Sequence, residues 1–436
     1  MTTLASQQID AWMAMASRPE GELKLLLAYI KGTKKARDCF YWAGTLPPLH
    51  LFMQRPLMRN LERMSRGILA PLGNNFTPPS RTPWGGREII RRYKTKLGYS
   101  SEDVVGESWE LSSHQSFPNH FAFSYAGQEL AVPIHLLEQL FPENLYGKDQ
   151  KSLPFLQKLL NTGSWKAQVD KLNSSANYNE IYRQLDRNDP KTQEMLNSIL
   201  SVQVHPNKLG GLPSKTEAWL ILEAEEGAGI YLGLKEGVQK AEFQEALDSG
   251  QDLSVFLNFV EVAPGDVYFI PAGTLHAIGA GLLLLEPQES SETTFRVYDW
   301  NREINGERRT LHGKEAMIAT DWDASRGSKL IKELRSQAPD GEGMQTLVSC
   351  PEFNLSSLSL KDSVSYQHST KEKVQGFFVQ KGQIQVNAKE TRSFREGESF
   401  LLPAAFGEYT IEAIEKDTKI IMTEKGDRND RSRGIS

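Results

Sequence analysis

The chain has 436 residues, 39% of them hydrophobic, enough for two or three packed domains. Fifty lysines and arginines stand against 55 aspartates and glutamates, a formal net charge of −5. That excludes a basic nucleic-acid surface over the whole protein but leaves room for a local cationic pocket. The two cysteines, Cys39 and Cys350, are far apart, which argues against a disulfide framework or a cysteine-based zinc site and fits a reducing compartment.

In chain order, the opening MTTLASQQIDAWMAMASRPEG has no basic segment followed by an apolar core. The longest apolar run, AIGAGLLLLEP, is too short to span a bilayer. A cytoplasmic protein with no membrane and no nucleic-acid partner is therefore expected. Leu25, Leu26 and Ile30, then Leu57, Leu61, Met64 and Ile68, recur at helical spacing, so residues 1–80 read as a helical extension with a turn-laden connection, APLGNNFTPPSRTPWGG, at its end. Residues 81–160 read as the first part of a β domain, with FAFSY and LAVPIHLL as strands. From QKLLN onward the chain turns polar and poor in β-branched residues, and 161–198 reads as a helical insertion. Strand signals dominate 199–311, interrupted by a polar helical stretch at KAEFQEALDSG. Residues 312–343 read as a helical connection, and short strands return over 344–436.

Two stretches share one frame. In VAPGDVYFIPAGTLHAI and FREGESFLLPAAFGEYTI a glycine, an acid, an aromatic and a Pro-Ala pair recur in register, with Gly265 before Pro271 and Gly397 before Pro403. A turn glycine, a buried strand and a proline where no ladder N–H is needed suit two copies of one β-unit. Counting along the frame sets His276 of the first copy against Glu408 of the second. One copy reads as competent to bind metal and the other as structural.

The first copy carries the chemistry. Strand alternation places Gln203 and His205 on one face, with Val202 and Val204 on the other. A turn through Asn207, Gly210, Gly211 and Pro213 could return Glu217 to that same face. With His276 these residues would form a two-nitrogen, two-oxygen set suited to zinc, and the bland reading is a polar barrel mouth. Ser201 and Lys215 share the face, where a cation could meet a phosphate or sugar oxygen. Glu286 ends an apolar strand and Arg296 lies between Phe295 and Val297, either in a pocket or as part of a surface ion pair.

The stretches TPWGGREI, GESWELS, LSVQVHPN, KTEAWLIL, PAGTLHAIGAGLLLLEPQESSETTFRVYDWNR and GESFLLPA, in that order from about Thr82 to Glu424, resemble the type I mannose-6-phosphate isomerases, zinc enzymes of the cupin superfamily. The resemblance implies a mainly β fold: two cupin-type double-stranded β-helix (jelly-roll) domains, one catalytic (199–311) and one degenerate (344–436), with attached helical segments. It implies one zinc ion per chain held by Gln203, His205, Glu217 and His276. It places Lys215, Glu286 and Arg296 at the pocket, associates Ser201 with phosphate contact, and puts Arg302 where a basic residue is expected. Two departures stand out. Residues 1–70 have no counterpart, and the polar stretch near 161–197 interrupts a step that is short in the family. The short run from Glu217 to His276 leaves no room for the larger helical domain of the fungal and animal members, so the pattern resembles the shorter bacterial type.

The implied reaction interconverts mannose 6-phosphate and fructose 6-phosphate by moving a proton between adjacent carbons through an enediol. Zinc and Arg296 would stabilise the developing oxyanion. Glu286 is the first candidate for the base, with a metal-bound water as its rival. Lys215, Ser201 and Arg302 would anchor the phosphate. A monomer or homodimer is expected. Three other readings stay open: a redox cupin, a non-catalytic sugar-phosphate-binding protein, and an isomerase of a related sugar phosphate.

Overall fold

The structure, a computed structural model, describes residues 56–95, 98–114, 116–148, 155–162, 198–207, 212–303, 306–323, 327–360 and 365–426, with a few positions in 18–26, Leu196, and 434–435. Most of the expected helical extension before residue 56 and nearly all of the expected 161–198 insertion lie outside the described residues. The first long described element is the helix Pro56–Met64. Its Leu57 and Met58, four and three residues before Leu61, are buried with it against Phe121, Val132 and Leu137 under the hairpin of residues 120–133.

Thirteen strands follow: β1 Glu107–Leu111, β2 His120–Tyr125, β3 Gln128–Pro133, β4 Phe155–Asn161, β5 Val202–Val204, β6 Glu217–Ala224, β7 Gly229–Leu234, β8 Leu257–Glu261, β9 Asp266–Ile270, β10 His276–Ile278, β11 Leu282–Glu289, β12 Phe295–Tyr298 and β13 Arg335–Gln337. Apart from the β2–β3 hairpin they form two antiparallel sheets, in the orders β1-β4-β11-β6-β9-β13 and β12-β5-β10-β7-β8. This is the jelly-roll expected from the resemblance. Strand β11 opens on four consecutive leucines, not an alternating pattern, because both its faces are covered: Leu282, Leu283, Leu284 and Leu285 all lie in a core that reaches into the second barrel.

Three local expectations are corrected. QKLLN belongs to strand β4, whose backbone pairs with β1 and β11; its lysine is buried by tertiary packing that composition does not report. LAVPIHLL splits, with the strand ending at Pro133 and a helix running Ile134–Leu140, as the missing proline N–H favours. The connection of 312–343 does hold two helices, Gly313–Ala319 and Gly327–Leu334, but it ends in β13, which extends the first sheet beside β9.

The second barrel comprises β14 Gly343–Ser349, β15 Phe353–Leu360, β16 Ser365–Ser369, β17 Gln375–Lys381, β18 Gln383–Asn387, β19 Thr391–Arg395, β20 Ser399–Leu402, β21 Glu408–Ala413, β22 Thr418–Lys425 and β23 Gly434–Ile435. Its sheets run β20-β17-β22-β15-β14-β23 and β16-β21-β18-β19. Register makes the repeat explicit: Glu217 opposes Ile270 before Pro271, and Gln375 opposes Leu402 before Pro403. Gln375 therefore stands in the place of Glu217. The match of His276 to Glu408 is corrected, because Glu408 is exposed and the inward residue is Tyr409, one position later. The Tyr409 hydroxyl donates to Gln375 Oε1 at 2.7 Å, and Gln375 Nε2 donates to Glu424. A phenol and an amide that satisfy each other replace an imidazole and a carboxylate.

The barrels are joined by a buried polar knot. Lys94 Nζ donates to Glu110 at 2.9 Å and to the Gly397 carbonyl at 2.8 Å, while Ser108 and Ser399 also donate to Glu110. Gly397 has φ 83°, and a Cβ there would come within 3 Å of the Tyr93 backbone, so the turn has to be glycine. No helix among the described residues is long and apolar enough to cross a membrane.

Candidate metal centre and its cavity

The site is assembled by strand register. Gln203 on β5 opposes both His276 on β10 and Arg296 on β12, so three side chains form a row across one sheet. On the facing sheet Glu217 opposes Gln288, and Glu286 opposes Lys158. His205, Glu217 and His276 converge, with one donor atom of each within 4.8 Å of the others. All three are buried, at 1%, 0% and 0% exposure.

The hydrogen bonds of the imidazoles define what they offer. His205 Nδ1 lies 3.0 Å from the Thr293 carbonyl and His276 Nδ1 2.9 Å from the Thr274 carbonyl. A carbonyl can only accept, so each Nδ1 carries the proton and each Nε2 presents a lone pair. Those lone pairs face Glu217, with His205 Nε2 at 3.4 Å from Oε2 and His276 Nε2 at 3.3 Å from Oε1. Burial, then the charge of Lys215, pulls His205 down to about 4, and burial likewise lowers His276. Burial alone would raise the Glu217 carboxyl, but Lys215 and the imidazoles outweigh it and hold it well below the usual range. Electron pairs pointed at one another in a dry interior call for a cation. Lys215 Nζ supplies one in part, donating to Glu217 Oε2 at 2.5 Å and to His205 Nε2 at 3.3 Å. Glu217 Oε1 is buried with no hydrogen-bond donor among the described residues. This orphaned oxygen and the outward-held Nε2 atoms fit a zinc ion. Gln203 Nε2 donates to His276 Nε2 at 3.2 Å, and turning the amide over would present its oxygen as a fourth ligand.

A cavity of about 440 Å³ opens over Gln203 and Lys215. Ser201 and Arg296 line it, together with Arg81, Trp109, Lys158, Gln288 and Arg309, which sequence reasoning did not single out. Lys158 donates to Glu286 at 2.9 Å and stands over the Trp109 ring. Burial would lower its pKa, and Glu286 and then Glu107 more than reverse that. Its signal in the sequence was a lone charge in FLQKLLN, legible only once that stretch is a strand. Arg309 carried no periodic signal.

Two expected residues fall elsewhere. Glu286 is 2% exposed and does not reach the cavity wall; its carboxylate accepts from Lys158, from Lys215 at 3.3 Å and from Trp219 Nε1 at 3.1 Å. It sits behind the two lysines. Arg302 is corrected as a phosphate anchor: at 1% exposure its guanidinium donates to the Leu196 and Ile199 carbonyls and to Asp299, and it does not line the cavity.

Comparison with known proteins follows this geometry. No family model matches the chain. A Bacillus subtilis protein named probable mannose-6-phosphate isomerase GmuF is 30% identical over 342 residues, covering 76% of this chain and 92% of that protein. The chain belongs to the mannose-6-phosphate isomerase family. A crystal structure of the mannose 6-phosphate isomerase of B. subtilis superposes with a TM-score of 0.59 at 24% identity, covering 82% of this chain and 98% of that one. A zinc-bound holo form of mannose 6-phosphate isomerase superposes at 0.56, with 15% identity, 82% of this chain and 99% of that one covered. Both share the fold of this family member.

Proposed function

We propose that the protein interconverts mannose 6-phosphate and fructose 6-phosphate and depends on zinc. The observation that carries the reading is the convergence of two outward-held imidazole nitrogens on a buried, partly unpartnered carboxylate beneath a cation-lined cavity, in a chain of this family. His205, Glu217, His276 and Gln203 would hold the ion, which there supplies Lewis-acid stabilisation to an oxyanion developing on the sugar.

The remaining chemistry belongs to the chain. Isomerisation removes a proton from a carbon beside a carbonyl and returns one to the neighbouring carbon, through an enediol. The carrier must face the cavity, and Lys215 does so while Glu286 does not. Glu286 and Lys215, in hydrogen-bond contact at 3.3 Å, act as one proton-holding unit in which Lys215 is the member nearer the sugar. Arg296 sits next to Gln203 in the register row and adds positive charge where the oxyanion forms. Ser201 offers a hydroxyl on the same wall.

The test is conversion of mannose 6-phosphate by purified protein as isolated, after chelation, and after zinc is returned. Activity lost with the metal and recovered with zinc is expected. Turnover indifferent to rigorous metal removal refutes zinc dependence, and a zinc-loaded protein without turnover refutes the reaction.

A further inference from the structure

We propose that Arg309, which stands beside Arg296 on the cavity wall, holds the phosphate of the substrate, while Arg302 serves as scaffold. The proposal rests on the sugar-phosphate reading above and departs from the residue that the family pattern indicates. Arg302 spends its guanidinium on two main-chain carbonyls and on Asp299. It thereby ties Leu196 and Ile199 to the residues after β12 and does not line the cavity.

Arg309 is placed differently. Its Nε donates to Asp299 Oδ2 at 2.8 Å and its Nη2 donates to Oδ1, so the carboxylate grips one edge of the guanidinium. Nη1 makes no hydrogen bond among the described residues, and the side chain lines the cavity. The neighbouring segment fixes Arg296 beside it. Arg296 Nη1 donates to the Thr310 carbonyl at 2.9 Å, and its backbone is locked to His312 in both directions, at 3.1 and 2.8 Å. Arg296 Nε is buried with no hydrogen-bond partner among the described residues. Arg302 and Arg309 share the single carboxylate of Asp299, while Arg296 has no ion pair among the described residues. Burial and then Arg309 weigh against the charge of Arg296, which Asp299 only partly offsets. A dianion with several acceptor oxygens is the ligand that relieves this, since planar guanidinium edges match phosphate oxygens in pairs.

The experiment compares wild type, Arg309→Ala, Arg309→Lys and Arg302→Lys. It reads kcat and KM for mannose 6-phosphate, competitive inhibition by inorganic phosphate, calorimetric binding of inorganic phosphate, and melting temperature. Losing a charge-assisted contact should raise KM and weaken phosphate inhibition by about 10- to 100-fold in Arg309→Ala, with kcat less affected. Arg309→Lys should lie between it and wild type. Arg302→Lys should melt earlier with its KM within about twofold of wild type. An unchanged KM and unchanged phosphate affinity in a folded Arg309→Ala overturns the proposal, and so does an Arg302→Lys protein that loses phosphate as Arg309→Ala was expected to. If wild type turns over no mannose 6-phosphate, the isomerase reading fails, and calorimetry with inorganic phosphate still decides between the two arginines.

Discussion

Replacing Glu110 by alanine tests how the two barrels are held together. Lys94 and Glu110 are both nearly fully buried, and their 2.9 Å contact is the centre of the knot between β1 and the β19–β20 turn. Removing the carboxylate strands a buried ammonium with one partner, the Gly397 carbonyl, and deprives the Ser108 and Ser399 hydroxyls of their acceptor. Breaking one side of a buried ion pair costs about 3–5 kcal/mol, because the remaining charge keeps its desolvation penalty without its compensation. With a denaturant slope of about 3 kcal/mol/M, the urea midpoint should fall by roughly 1–1.7 M. The companion variant, Lys94→Met with Glu110→Leu, removes both charges and should recover most of that loss. Urea titration by tryptophan fluorescence reads both. A single variant that costs under about 1 kcal/mol, or a double variant as damaged as the single, would refute the reasoning, since either means the knot is not a desolvated pair.

Two further outcomes are expected. Arg296→Ala should retain one zinc by metal analysis yet lose about 10²- to 10³-fold in kcat, as removal of a charge aimed at a developing oxyanion does; near-normal turnover would take Arg296 out of the mechanism. Asp299, held below the usual carboxylate range by Arg309 and Arg302 in spite of its burial, should stabilise the protein at neutral pH. Because its folded value is depressed, that stability is full above the ordinary aspartate value of about 3.9 and drains away as pH falls through the folded value. Asp299→Asn should therefore melt earlier at pH 7, with the gap to wild type closing in acid; a constant gap would contradict the assignment.

Much of the candidate site was legible before any fold was known, and the reason is locality. Gln203 and His205 share a face because strand side chains alternate, and Lys215 and Glu217 do so for the same reason. The glycine–proline frame marked both barrels, since turn and strand-end chemistry is written in adjacent residues. The misses have the opposite character. FLQKLLN carries no alternation, because tertiary cover on both sides makes a central strand resemble a buried helix turn. Tyr409 and not Glu408 turns inward because a count along the chain cannot see where the loop after Pro403 re-enters the sheet. Glu286 and Arg302 were drawn from the right elements but point at partners already in place: two lysines and a tryptophan in one case, two carbonyls and an aspartate in the other. Residue type and local spacing determined which groups could bind a metal. Only the pairing of distant strands decided which of them meet, which are screened by neighbours, and which arginine is left with an unspent edge facing the cavity.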